Sequence, residues 1–300
     1  MRQATGEGSD SMKLRRYDAD NIRVRSGGGG GRFPGGRGGG IGLGTLLIAA
    51  IAYFVFGADP MQTIGTIQGA QGSEAAPAGQ SAASEDDVCS QGPYAMEACN
   101  ALQSLNQTWQ PEFERAGIAF KDPVLTLYSG GVNTQGCGSA SSAAGPFYCP
   151  ADQGIYIDTS FYDQLAQMAG ERGDFARLYV MAHEYGHHIQ NLTGLADQVR
   201  SAQQQNPRSA NELQVRMELQ ADCYAGVWAG KNRALIEPGD LEEGMRAASS
   251  IGDDTLQRNA GQRINPEGFT HGTSAQRMEA LRDGMESGND AVCDRYFRSG

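Results

Sequence analysis

Apolar positions recur along this chain in two rhythms, and the change from one to the other outlines its architecture. Between Tyr94 and Arg115, Met96, Ala98, Leu102, Leu105, Trp109 and Phe113 fall at helical spacing. Residues 123–128 alternate instead, are rich in β-formers and stop at Gly130-Gly131, which predicts a strand. Two further short strands are expected at 145–149 and 154–158, on either side of the turn-forming Pro150-Ala151-Asp152. After Asp158 the rhythm turns helical almost to the end, with helices expected near 160–169, 174–192, 209–229, 239–257 and 274–286. A few strands followed by a helical block predict an α+β domain, a small β-sheet packed on a mainly helical block.

In one stretch the apolar pattern has no period at all. Gly38 to Ala58 carries no charge, and Ile41 to Phe56 is apolar enough to cross roughly 30 Å of hydrocarbon as a helix. Residues 41–57 therefore read as a transmembrane helix, with Tyr53 and Phe54 toward its far interface. Ahead of it, residues 1–40 hold eight Lys/Arg and four acids, and Gly27 to Gly40 is mostly glycine. Such a composition buries too little apolar area to offset its ordering entropy, so 1–40 is expected to be a disordered Gly/Arg-rich cytoplasmic tail. A cleaved signal peptide would have a shorter apolar region nearer the start. Residues 58–88, rich in Gly, Ala, Ser and Gln, read as a flexible linker, leaving 89–300 as the domain.

Charge and cysteines refine this picture. The basic excess before the span places the N-terminus in the cytoplasm and the domain outside, as a single-pass protein of the inner (cytoplasmic) membrane with a periplasmic or extracellular domain. The chain carries −11 and the tail +4, which leaves −15 for the rest and argues against nucleic acid as a partner. All six cysteines follow the apolar run, in keeping with disulfides in an oxidising compartment. Cys137 and Cys149 flank a short Gly/Ser/Ala-rich loop and are expected to pair. A Cys223–Cys293 bridge would tie the C-terminus down, and Cys89–Cys99 follows by elimination.

The chemistry begins at His183-Glu184-Tyr185-Gly186-His187. Positions i and i+4 share a helix face, so two imidazoles can bind one Zn²⁺ while the glutamate between them reaches a metal-activated water. Asp174 is a candidate N-cap, Gly194 a candidate stop, and no proline intervenes. His188 points about 100° away around the helix and is expected to be structural. A catalytic zinc needs a third protein ligand and an open position. The longer motif with a third histidine fails, since Gln190 and Thr193 stand at its glycine and histidine positions. Glu218-Leu219-Gln220-Ala221-Asp222 offers a carboxylate instead, on a helix that Ser209 and Glu212 would open with a capping box. Glu218 is expected to bind the metal and Asp222, one turn on, to hold the outer nitrogen of a ligand histidine.

Together with Gly145-Pro146-Phe147-Tyr148-Cys149-Pro150 and Thr270-His271-Gly272-Thr273-Ser274, these motifs make the chain resemble the neutral zinc metallopeptidase family of bacterial single-pass membrane proteins. The resemblance implies a zincin-like fold and a gluzincin-type site with one catalytic Zn²⁺ on His183, His187 and Glu218. The expected function is that of a membrane-anchored zinc metalloendopeptidase acting on peptide or protein substrates, with Glu184 as general base. His271, the one histidine outside the helix motif, is expected to donate a hydrogen bond to the oxyanion. Two other classes fit the same motif: a zinc-stabilised, non-catalytic envelope binding module, and a zinc amidase acting on cell-wall peptides.

Overall fold

The two rhythms are realised as a small mixed sheet and a helical block. A computed structural model describes residues 13–27, 83–169 and 173–298. The expected transmembrane helix at 41–57 lies outside the described residues, among which no helix is long and apolar enough to cross a membrane. The main sheet runs in the order β1-β2-β6-β5, where β1 is Val24–Gly27, β2 Val124–Tyr128, β5 Phe147–Cys149 and β6 Gly154–Asp158. β1, β2 and β6 are parallel, and β5 closes one edge antiparallel to β6. β6 is buried at every position, as a central strand covered on both faces must be. A two-stranded hairpin of β3 (Gly131–Asn133) and β4 (Ser139–Ser141) stands beside it, too short and polar to have a readable period.

β1 corrects one expectation. It lies inside the segment predicted to be a disordered tail, yet it pairs with β2 from Val24↔Leu125 to Gly27↔Tyr128. Tyr17, Ile22 and Val24 are buried in the main core. Averaged over forty residues, three apolar side chains were swamped by the glycines that follow them. The end of the expected linker is also ordered: Ser84 and Asp87 form a capping box that opens helix α1 (Glu85–Cys89).

The helical block comprises α2 (Pro93–Ala116), α3 (Phe161–Ala169), α4 (Asp174–Leu192), α5 (Leu195–Gln205), α6 (Ala210–Lys231), α7 (Asp240–Ser250), α8 (Asp253–Asn259) and α9 (Ser274–Ser287). The single helix expected over 239–257 is two, broken where Gly252 turns extended. α6 is buried on all sides from Met217 to Ala229, because α4 covers one side and α9 another. Backbones approach closely at both crossings. A Cβ on Gly186 of α4 would lie 2.8 Å from Ala221 Cα of α6, and one on Gly226 of α6 would lie 2.1 Å from Leu281 O of α9. Only glycine permits those approaches. Trp228 anchors the far end of α6, its indole N–H donating to Ser104 Oγ at 3.1 Å.

Two capping expectations are corrected. Gly173, not Asp174, caps α4, and Asp174 is its first helical residue. Ser209 does not form a capping box with Glu212; its backbone closes a 3₁₀ turn, its hydroxyl donates to Asn206 O, and Glu212 pairs with Arg216. All three expected disulfides are present, Cys89–Cys99, Cys137–Cys149 and Cys223–Cys293. The last ties the C-terminal 3₁₀ turn Asp290–Tyr296 to α6 beside Asp222.

Candidate metal centre

The Gly186–Ala221 contact sets α4 on α6 so that the two expected histidines meet the expected carboxylate. His183 Nε2 lies 3.1 Å from Glu218 Oε2, and His187 Nε2 lies 3.5 Å from the same oxygen. The three ligand atoms fall within 4.8 Å of one another. A tetrahedral zinc with bonds of about 2.0–2.2 Å holds neighbouring ligand atoms roughly 3.3–3.6 Å apart. The donor set thus fits zinc in chemistry, and its two imidazole–carboxylate spacings lie in or close to that range.

The outer nitrogens show that the inner ones are free to bind. His183 Nδ1–H donates to Asp222 Oδ1 at 2.7 Å, as expected of Asp222. Asp222 is itself clamped, with Arg277 Nε at 2.8 Å, Arg277 Nη2 at 2.9 Å and Tyr179 Oη at 2.6 Å. His187 Nδ1–H donates to Gln190 Oε1 at 2.9 Å. Gln190 is fully buried, and its amide N–H groups are committed to Met217 O and Gln220 Oε1 on α6, so its oxygen is what it presents to His187. Each histidine is thus held through Nδ1–H, so that Nε2 is the nitrogen left to face a metal, which would take the place of any proton there.

The local charges favour a cation. Burial opposes a proton on His183, yet Asp222 and Glu218 raise its pKa to about 10. Burial would raise the Asp222 carboxyl, but Arg277 and then His183 hold it down at about 2. Glu218 is likewise held well below the carboxylate range against the cost of burial, chiefly by His187 and His183. Glu184, in the same cleft, is pushed up by its burial.

His271 also reaches the cleft. Its Nδ1 lies 3.2 Å from Asp253 Oδ1, and its buried Nε2 has no protein hydrogen-bond partner. Asp253 Oδ2 accepts three successive backbone N–H groups, from Thr270 (2.8 Å), His271 (2.7 Å) and Gly272 (3.0 Å), which fixes the loop that carries the imidazole. His188 is structural, as expected: Nε2–H donates to Lys121 O, Tyr148 Oη bonds Nδ1, and burial lowers its pKa to about 4. The motif around Tyr148 thus braces α4 while Gly145, Pro146 and Phe147 line the cleft.

Gln190, Arg277, Tyr179 and Asp253 were not anticipated from the sequence. Gln190 lies three residues past His187 on one helix, a spacing that could have identified it; the others come from segments that only folding brings close. A second group of carboxylates, Asp174, Asp240 and Glu243, gathers at the start of α4, where Glu243 accepts from Ala176 N–H.

The family model described as "Putative neutral zinc metallopeptidase" matches residues 1–296. The chain belongs to this family. It is 40% identical over 295 residues to "Uncharacterized protein YpfJ" of Escherichia coli K12, covering 95% of this chain and 98% of that one. It is 41% identical over 206 residues to "Uncharacterized protein Rv2575" of Mycobacterium tuberculosis H37Rv, covering 64% of this chain and 67% of that one. No solved structure matches it.

Proposed function

We propose that the protein is a membrane-anchored zinc metalloendopeptidase with a zincin-like catalytic domain. The observation that carries this reading is the convergence of His183, His187 and Glu218, each histidine oriented from behind, with Glu184 and His271 beside them in one cleft. Zinc in such a site supplies a Lewis acid and lowers the pKa of water from about 16 to about 7. Glu184 takes the attacking water's proton and delivers it to the leaving amine; its burial raises its pKa and suits it to both steps. With Nδ1–H held on Asp253, His271 faces the oxygen on which negative charge develops through Nε2, and donates to it when that nitrogen also carries a proton. β5, an edge strand of the sheet among the described residues, is where an extended peptide would add as a further strand. The apolar run 41–57 supports anchoring to a bilayer, and three disulfides support an oxidising location for the domain.

The test is digestion of an unstructured protein and of purified cell wall by the full zinc-loaded chain, with and without a chelator. Chelator-sensitive cleavage of the protein substrate is expected. Release of cell-wall peptides alone would favour the amidase, and zinc binding without any hydrolysis would favour the binding module.

A further inference from the structure

We infer that residues 13–27 lie on the same side of the membrane as residues 83–298, so that the apolar run between them does not divide the chain between two compartments. β1 is part of the domain's sheet, paired along its whole length with β2. Ahead of it the chain runs past α2, where Tyr17 N–H donates to Asn100 Oδ1 at 2.8 Å, and on to Lys13, whose N–H donates to Leu235 O. Tyr17, Ile22 and Val24 are buried among the domain's own core residues. Roughly 30 Å of hydrocarbon cannot stand between partners in one core and one hydrogen-bonded ladder.

The basic residues that suggested a cytoplasmic tail have another use. Five of the eight, Lys13, Arg15, Arg16, Arg23 and Arg25, fall within 13–27. Lys13 Nζ pairs with Glu237 at 2.7 Å, Arg23 donates to Asp122 O, and Arg25 Nη2 lies 2.7 Å from Tyr156 Oη and 3.6 Å from Asp152. Two of these five, Lys13 and Arg25, pair with acids of the domain itself, a use that does not depend on a cytoplasmic location. Length is no obstacle, since residues 28–82 can extend up to about 190 Å. The inference does not depend on the protein being a peptidase.

The test compares two exposed positions in the full chain, whose native cysteines are all paired: Asp20→Cys and Arg263→Cys. Each is treated with a membrane-impermeant maleimide before and after lysis of bacterial spheroplasts. Agreement between the two is expected, and labelling of both before lysis would also put the shared side outside. Labelling of one before lysis and the other only after it would overturn the inference. A second arm needs no membrane. Tyr17→Asp in the purified full chain places a charge in the core and should lower Tm by on the order of 10 °C. An unchanged Tm would mean that the segment is not docked, and would overturn the inference equally.

Discussion

Gln190 does for His187 what Asp222 does for His183, but with a neutral amide in place of a clamped carboxylate. Its oxygen faces the imidazole because both its N–H groups are taken by α6. Gln190→Leu should therefore weaken zinc binding by about 10–100-fold, read by competition with a chelator, while Glu218→Ala removes a ligand and should lose zinc altogether. Wild-type affinity in Gln190→Leu would mean that the ring is oriented by something else. His271 makes a separate prediction, because its free Nε2 lies in the cleft but it is not one of the three clustered ligands. His271→Ala should keep its zinc and lose about 10²–10³ in kcat, with KM changed much less. Loss of zinc in that variant would make His271 a ligand.

At the scale of elements, the site depends on how closely α4 and α6 approach. The unspecified fourth position of the H-E-x-x-H motif is Gly186, and a Cβ there would meet Ala221 Cα at 2.8 Å and its carbonyl oxygen at 2.9 Å. Gly186→Ala should force the helices apart, cost about 1–3 kcal/mol in thermal or denaturant unfolding, and lower zinc affinity as Glu218 moves away from the histidines. Unchanged stability and zinc binding would show that the crossing is more tolerant than its spacing implies. The ligand helix was legible because its apolar period is strong and its histidines sit one turn apart; its residue range matches the expected 174–192. Glu218 and Asp222 were legible because two carboxylates one turn apart suit a ligand and its neighbour's support. β1 and the β3–β4 hairpin were not legible: they are three or four residues long, are set among glycines and polar residues rather than apolar or aromatic ones such as Phe147 and Tyr148 of β5, and gain their stability from partners about one hundred residues away or from a disulfide. The Asp222–Arg277–Tyr179 clamp was hidden for a similar reason: it joins three helices at sequence separations of 43 to 98 residues.

For the whole molecule, the buried charges couple folding to pH and to metal. In zinc-free protein His183 has its pKa raised from 6.5 to about 10 by Asp222 and Glu218. A group whose folded pKa is raised contributes stability that is complete below its unfolded pKa and is lost as pH rises through the folded one. The zinc-free chain should therefore lose thermal stability between about pH 6.5 and pH 10. With zinc on Nε2, His183 has no proton to lose there, so the loaded chain should show a flatter profile; identical profiles would contradict the assignment of His183.

The proposed function requires that zinc in this cleft serve peptide hydrolysis, with Glu184 moving the proton. The most direct measurement pairs metal content with turnover of an unstructured protein substrate in the full wild-type chain and in Glu184→Gln. Glu184 is not one of the three clustered ligands, so the variant should bind one zinc per chain, as the wild type does, and yet lose hydrolysis by at least about 10²-fold. Near-normal turnover in Glu184→Gln, or a wild type that holds zinc and cleaves nothing, would contradict this function.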